Sequence, residues 1–266
     1  MEGLNRMTRL AQVIFAILLG SVLVVAGCAG STATKRTSYE ERADDLLGHG
    51  DKSLSNGEFK AAIAYFNNAL ELNPGLSTAR FHRGKAYSGI KEYDKAISDY
   101  SEVLETEPKY KEVYYYRGLA YSKKGELERA VQDYNQAEGA RIDPALIYRN
   151  RGFAYCEIEE YEKALEDFDR VLETNPKDVD VCYSRANAYF SLGRYGRAIE
   201  EYNKVLAADP GNADAHFRKA ISCELAGLLD QAIVSYARFL VHAPSHAQLQ
   251  VRRARERIEA LKAMMR

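Results

Sequence analysis

The sequence predicts an all-α solenoid in which six helix-turn-helix units of 34 residues follow one another along the chain. Two observations predict it. Six alanines recur every 34 residues, and an aromatic residue follows each of them four positions later. The alanines are Ala62, Ala96, Ala130, Ala164, Ala198 and Ala232, and the aromatic residues are Phe66, Tyr100, Tyr134, Phe168, Tyr202 and Tyr236. No stretch alternates with a period of two, so no strand is expected. Because each unit of such an array packs only against its neighbours, we expect function on an extended surface.

The N-terminus has the pattern of a targeting segment. Arg6 and Arg9 precede an apolar run over 10–25, which leads into small residues and Cys28. Residues 25–28, Val-Ala-Gly-Cys, resemble the bacterial lipobox. That resemblance implies that 1–27 is a lipoprotein signal peptide and that Cys28 is lipidated and becomes the mature N-terminus. An uncleaved signal anchor is the alternative.

The residues after Cys28 predict where the chain is held. In the bacterial sorting pattern an Asp in this position retains a lipoprotein in the inner membrane, and here it is Ala29. The resemblance therefore implies the outer membrane, with the protein facing the periplasm. Residues 28–37 are otherwise polar and without periodicity, which predicts a flexible tether. Ser38 and Glu41 have capping-box spacing, so helix is expected from 38 onwards.

The repeated region is predicted to cover 38–246 in six units, 43–76, 77–110, 111–144, 145–178, 179–212 and 213–246. Position 8 of each unit is Gly or Ala, which lets its two helices approach closely. All six prolines stand at or just after position 32, where each is expected to end the second helix. Residues 247–266 are predicted to form a capping helix that covers unit six with Val251, Ala254, Ile258, Leu261 and Met265.

The segment 114–121, Tyr-Tyr-Tyr-Arg-Gly-Leu-Ala-Tyr, its copy at 148–155, and the endings Ala-x-x-x-aromatic-x-x-small-Leu-x-x-x-Pro resemble the tetratricopeptide repeat (TPR). The resemblance covers 43–246, although the Trp of the family's first helix is absent. It implies a right-handed α-solenoid whose first helices line a concave groove with positions 2, 5, 9, 12 and 13. The chain is thus interpreted as a lipobox-bearing TPR lipoprotein.

Charged residues at two positions change together between units. Position 7 is Arg where position 23 is Asp or Glu, and both differ in the end units. We predict interhelical ion pairs, with two solvated faces as the alternative. The pairs are Arg83 with Asp99, Arg117 with Asp133, Arg151 with Asp167 and Arg185 with Glu201.

The groove positions carry an aromatic and aliphatic strip, which is the composition of protein interfaces. The predicted groove residues are Phe81, Lys85, Tyr115, Leu119, Arg149, Phe153, Tyr183, Asn187, Phe190, Phe217 and Ile221. The partner is expected to be an extended or helical segment of another protein. Alternatively, some of these rings pack on a neighbouring unit or on a second copy of the chain.

Several classes of function find no support in the sequence. A formal charge of −1 gives no general attraction to nucleic acid. The chain contains no phosphate-binding loop or hydrolase motif, so no enzyme activity, catalytic residue, cofactor or metal is predicted. Cys156, Cys182 and Cys223 are interpreted as small buried hydrophobic residues. The basic face of 247–266 is interpreted as a solubilising surface, or as a contact to acidic lipid, glycan or a partner.

Two hypotheses for function remain open. The first is a non-enzymatic, lipid-anchored adaptor that binds protein partners in its groove. The second is a self-associating structural or assembly component of the envelope. The chain resembles two classes of lipoprotein: scaffolds for cell-wall hydrolases and their proteases, and pilotins, which assist secretin assembly for type IV pili.

Overall fold

The computed structural model describes residues 38–266, which divide into two compact parts between Asp99 and Tyr100. Over this range the chain forms thirteen helices and no strand, which confirms the predicted all-α class. The predicted signal peptide, Cys28 and the tether to residue 37 lie outside the described residues.

Two helices fall in each 34-residue unit. In the N-terminal part, α1 covers 38–55, α2 Phe59–Leu72 and α3 Ser77–Gly89, and the division lies within α4, Tyr93–Thr106. The C-terminal part continues with α5 Lys111–Lys124, α6 Leu127–Gln136, α7 Pro144–Glu157, α8 Tyr161–Thr174, α9 Val179–Ser191, α10 Tyr195–Ala208, α11 Ala213–Leu225, α12 Leu229–His242 and α13 Gln248–Met264. From α5 to α13 each helix packs against the next along the chain.

The small residue at position 8 allows the two helices of a unit to approach. A Cβ atom on Gly152 would lie 2.7 Å from Cε1 of Phe168, closer than real carbon atoms come. Phe168 itself is fully buried, as are its equivalents Tyr134 and Tyr202. The contact between a glycine on α7 and an aromatic ring on α8 therefore sets the distance between these two helices.

The turn between the two helices has the same backbone in every unit. Position 15 takes a left-handed conformation, with φ between 63° and 81°. It is Gly57, Gly125, Gly193 or Gly227 in four units, but Lys91 and Glu159 in the other two. Since residues with a Cβ seldom adopt this conformation, the packing of the two helices decides the turn at Lys91 and Glu159.

The prediction that every proline ends a second helix is wrong for Pro144. The other five follow their helices by two residues, but Pro144 is the first residue of α7, where its missing N–H is harmless. Asp143 caps this helix, its Oδ1 accepting from Ala145 N at 2.9 Å. The helix before it, α6, has 10 residues where its counterparts have 14. The 34-residue frame survives because the lost turn of helix is replaced by the link 137–143.

The last helix, α13, buries Ala254, Ile258 and Leu261 in a core shared with α11 and α12. Met265, predicted to belong to this stripe, is exposed. Arg257 Nε on α13 donates to Glu224 Oε2 on α11 at 3.2 Å.

No helix within 38–266 combines the length and the hydropathy needed to cross a bilayer.

Candidate protein-binding groove

The predicted groove residues of the C-terminal part lie on the first helices of their units, α5, α7, α9 and α11. Within a helix they are spaced three or four apart, so they share one face. All but Tyr115 are half-buried: Leu119, Arg149, Phe153, Tyr183, Asn187, Phe190, Phe217 and Ile221. The face is therefore partly apolar and partly accessible.

Two predicted groove rings belong to the core instead. Phe81 on α3 and Tyr115 on α5 are only 5% and 7% exposed. Tyr115 packs against Tyr134 with ring centroids 6.1 Å apart, and its hydroxyl accepts from Asn150 Nδ2 at 3.1 Å. Burial raises the pKa of that hydroxyl. The prediction that these rings line a groove is corrected, because both are buried and Tyr115 is covered by residues of α6 and α7.

Three of the remaining rings rest on a buried ring of the second helix, whereas Phe190 packs on the half-buried ring of Tyr195, with centroids 5.6 Å apart. Phe153 lies 5.5 Å from Phe168, and Tyr183 lies 5.9 Å from Tyr202, between ring centroids. Phe217 is 4.8 Å from Phe239. These contacts fix the rings in place, so a partner could bind them with little loss of side-chain entropy.

The polar residues of the groove already have partners within the chain. Arg149 Nη2 donates to Asp180 Oδ2 at 2.7 Å, and its guanidinium lies 5.4 Å from the centre of the Phe153 ring. Asn187 Oδ1 accepts from the Tyr202 hydroxyl at 2.6 Å. In the N-terminal part, Lys85 Nζ lies 5.6 Å from the Phe81 ring. The charge of Arg149 is thus balanced by acidic side chains of its own chain.

Two exposed leucines on the same faces were missed. Leu146 on α7 is 42% exposed and Leu225 on α11 is 52% exposed. They occupy positions 2 and 13, which the family's groove includes, whereas the predicted groove residues stand at positions 5, 9 and 12. Leu146 precedes Phe153 by two turns, and Leu225 follows Ile221 by one.

The structure brings all four predicted ion pairs together. Arg117 donates from Nε and Nη2 to the two carboxylate oxygens of Asp133, each at 2.8 Å. Arg83 and Arg151 hold Asp99 and Asp167 in the same two-bond manner. Arg185 makes a single bond to Glu201, at 2.8 Å, and its Nε has no hydrogen-bond acceptor within the described residues.

Each of these arginines also reaches the preceding unit, which the sequence analysis missed. The Nη1 atom contacts a side chain 16 residues earlier, on the second helix of the unit before. These acceptors are Asn67, Ser101, Asn135 and Asp169, at position 25. A comparison of position 25 between units would have found the pattern. The arginine therefore joins three helices.

Burial and charge have opposing effects at these pairs. Hydrogen bonding to Asp133 raises the pKa of Arg117. The pKa of Asp167 lies above its ordinary value, since burial outweighs the attraction of Arg151. The Arg151 guanidinium is further enclosed by Tyr148 and Tyr155, at 5.5 and 6.0 Å from the ring centres.

Among residues 38–266 no three His, Cys, Asp or Glu side chains are grouped as a metal site would need.

Comparison with known families decides the identity of the repeats. A family model described as tetratricopeptide repeat matches residues 47–100, 150–213 and 183–248, more than half of the chain. The chain belongs to the tetratricopeptide repeat family. Further tetratricopeptide models match 90–125 and 111–141. No curated protein matches the chain significantly by sequence. The tetratricopeptide fold is a scaffold for protein–protein interaction.

Solved structures share this tetratricopeptide fold. YrrB, described as a TPR protein with an unusual peptide-binding site, superposes with a TM-score of 0.65 at 20% identity, over 71% of this chain and 97% of its own. PilF of Pseudomonas aeruginosa gives 0.63 at 18% identity, over 82% and 99%. MamA gives 0.59 at 25% identity, over 65% and 94%. These similarities confirm a solenoid of tetratricopeptide units.

Proposed function

We propose that this protein is a non-enzymatic adaptor that binds an extended or helical segment of another protein along the first helices of units three to six. Lipidated Cys28 would hold it at the bacterial outer membrane, facing the periplasm. The role combines a binding face on a rigid scaffold with an anchor at one end of the chain.

One observation carries the proposal. On α7 and α11 an exposed leucine continues the line of half-buried rings, so accessible apolar side chains lie beside rings that the core holds in place. Rigid aromatic residues next to accessible apolar surface are typical of interface hot spots. Because Arg149 is paired with Asp180, a partner would bind chiefly through apolar contacts.

A second candidate function is a self-associating assembly component of the envelope, similar in layout to a pilotin. It is favoured by an apolar patch away from the groove. Val234 and Val241 on α12 are 59% and 72% exposed and lie two turns apart on one face. The structural similarity to PilF is consistent with this role but concerns the fold alone.

The two candidates predict opposite results for two matched variants. Leu146→Asp/Leu225→Asp places two charges in the groove, and Val234→Asp/Val241→Asp places two charges on α12. All four side chains are already exposed, so both variants should fold. If the adaptor role is correct, the groove variant loses the envelope proteins that crosslink to wild type, by at least about tenfold from one desolvated charge, and the α12 variant keeps them.

Light scattering on the same proteins tests the second candidate. A dimer that the α12 variant converts to monomer would favour self-association. Identical crosslinked partners for wild type and the groove variant would contradict the adaptor role.

The anchor is tested separately. Cys28→Ser should abolish incorporation of labelled palmitate and move the protein from the membrane fraction to the soluble periplasmic fraction, because stable anchoring needs more than one acyl chain. Cys156→Ser is the matched control and should remain in the membrane fraction. Unchanged labelling of Cys28→Ser would refute lipidation at this residue.

A further inference from the structure

A cavity of about 420 Å³ lies where the link after α8 meets helices α9 and α10. Its lining residues are Pro176, Lys177, Val179, Cys182, Lys204, Ala207 and Ala208. The volume falls within the range of small-ligand sites, about 300–1,000 Å³. The cavity is open to solvent, since Pro176, Lys177, Lys204, Ala207 and Ala208 are exposed whereas Cys182 is buried.

Position 4 of the fifth unit, which lines this cavity, is a cysteine, Cys182. The same position in the six units is Leu46, Arg80, Tyr114, Tyr148, Cys182 and His216. In two units this side chain bonds to the carbonyl of the linking proline: Arg80 Nη2 donates to Pro74 O, and His216 Nε2 lies 3.0 Å from Pro210 O. Cysteine is too short, and its thiol too weak a donor, to replace them.

The fourth unit shows what occupies the equivalent space when position 4 is large. There the Tyr148 ring lies beneath the guanidinium of Arg170, 4.8 Å from its carbon. In the fifth unit the corresponding residues are Cys182 and Lys204, and Ala207 and Ala208 replace Glu173 and Thr174. The cavity thus includes the place that the Tyr148 ring occupies one unit earlier.

The geometry points to a binding site for a phenol ring, carried either by a free small molecule or by a tyrosine side chain of a partner, and we propose it as such. Three features match this ring. Cys182, Ala207 and Val179 give apolar walls. Lys204, whose Nζ lies 2.7 Å from Glu201 Oε1, supplies a cation at the position equivalent to Arg170, which covers the Tyr148 ring in the fourth unit. The carbonyl of Pro176 corresponds to the acceptors at Pro74 and Pro210.

A covalent use of the thiol is disfavoured. Burial raises the pKa of Cys182, so the thiol stays protonated at neutral pH, and its exposed fraction is only 3%. The site is therefore assigned to reversible binding. It stands independently of the proposed groove, which lies on different positions of the first helices.

The test is a titration of the whole chain with p-cresol, followed by the backbone amide resonances. Saturable shifts are expected at residues 179–182 and 204–208. Cys182→Tyr should abolish them by filling the cavity from within, as Tyr148 does, and should raise the melting temperature. Cys156→Ala, which changes a cysteine away from the cavity, should bind p-cresol like wild type.

A second variant covers the case in which Cys182→Tyr fails to fold. Ala207→Glu introduces the residue found at this position in three other units and should weaken p-cresol binding at least tenfold. N-acetyltyrosinamide distinguishes the two sources. If it binds as well as p-cresol, the site accepts a tyrosine side chain; if only p-cresol binds, the ligand is a free phenol. Absence of saturable shifts with both probes, or equal binding by wild type and a folded Cys182→Tyr, would overturn the assignment.

Discussion

Replacing Arg151 with alanine is expected to lower the free energy of unfolding by about 3–5 kcal/mol, the usual effect of removing one partner of a buried ion pair. Asp167 is buried and receives two hydrogen bonds from Arg151. The substitution leaves that carboxylate without its partner. It also removes the bonds to Asn135 and Glu138, which connect the third and fourth units.

Urea denaturation of wild type, Arg151→Ala, Asp167→Ala and the double variant would measure the effect and its coupling. Arg129→Ala is the control, since Arg129 pairs with Glu126 at the surface and should change stability by less than about 1 kcal/mol. Equal losses for Arg129→Ala and Arg151→Ala would contradict the prediction, as would additive effects of the two pair substitutions.

The loss in Arg151→Ala should also depend on pH. Without Arg151 the pKa of Asp167 in the folded state rises further above its ordinary value. Between the pKa of Asp167 in the unfolded state and its higher pKa in the folded state, the folded protein binds more protons than the unfolded chain. Stability then falls as pH rises through this window. The difference from wild type should be largest at neutral pH and smaller in acid.

Phe168→Ala is expected to destabilise the protein by about 3–5 kcal/mol, because it removes a fully buried ring and leaves a cavity. The same ring supports Phe153 in the groove. We therefore expect the variant to lose partner crosslinking through Phe153 as well as stability. Thermal and urea unfolding measure the first effect, and the crosslinking assay measures the second at a temperature where the variant is folded.

Val234→Ala controls for this substitution. Its side chain is exposed, so its removal should change the free energy of unfolding by no more than about 0.5 kcal/mol. Wild-type stability in Phe168→Ala would mean that the ring is not packed as the structure shows.

The stability of the scaffold and the proposed adaptor role depend on the same contacts. The arginines join successive units, and the buried rings hold the groove side chains in fixed positions. A binding face of this kind loses little entropy when a partner binds.

The 34-residue period is enough to predict the class of fold, the frame of the repeats and the residues that are equivalent between units. A fixed period is sufficient for this, because each unit packs only on its neighbours and must keep the same small and large residues at the same positions. The pairing of Arg117 with Asp133 could be predicted from a comparison of the units, because the residues at these two positions change together.

Tertiary packing determines how deeply each equivalent residue is buried and what it contacts beyond its own unit. Tyr115 is covered while Phe153 remains half-exposed, although both were chosen from positions on the same groove face. Pro144 begins a helix because α6 ends early, and Cys182 borders a cavity because its neighbours at 207 and 208 are also small. Periodicity identifies equivalent positions, but exposure and empty volume depend on the sizes of side chains that meet from different helices.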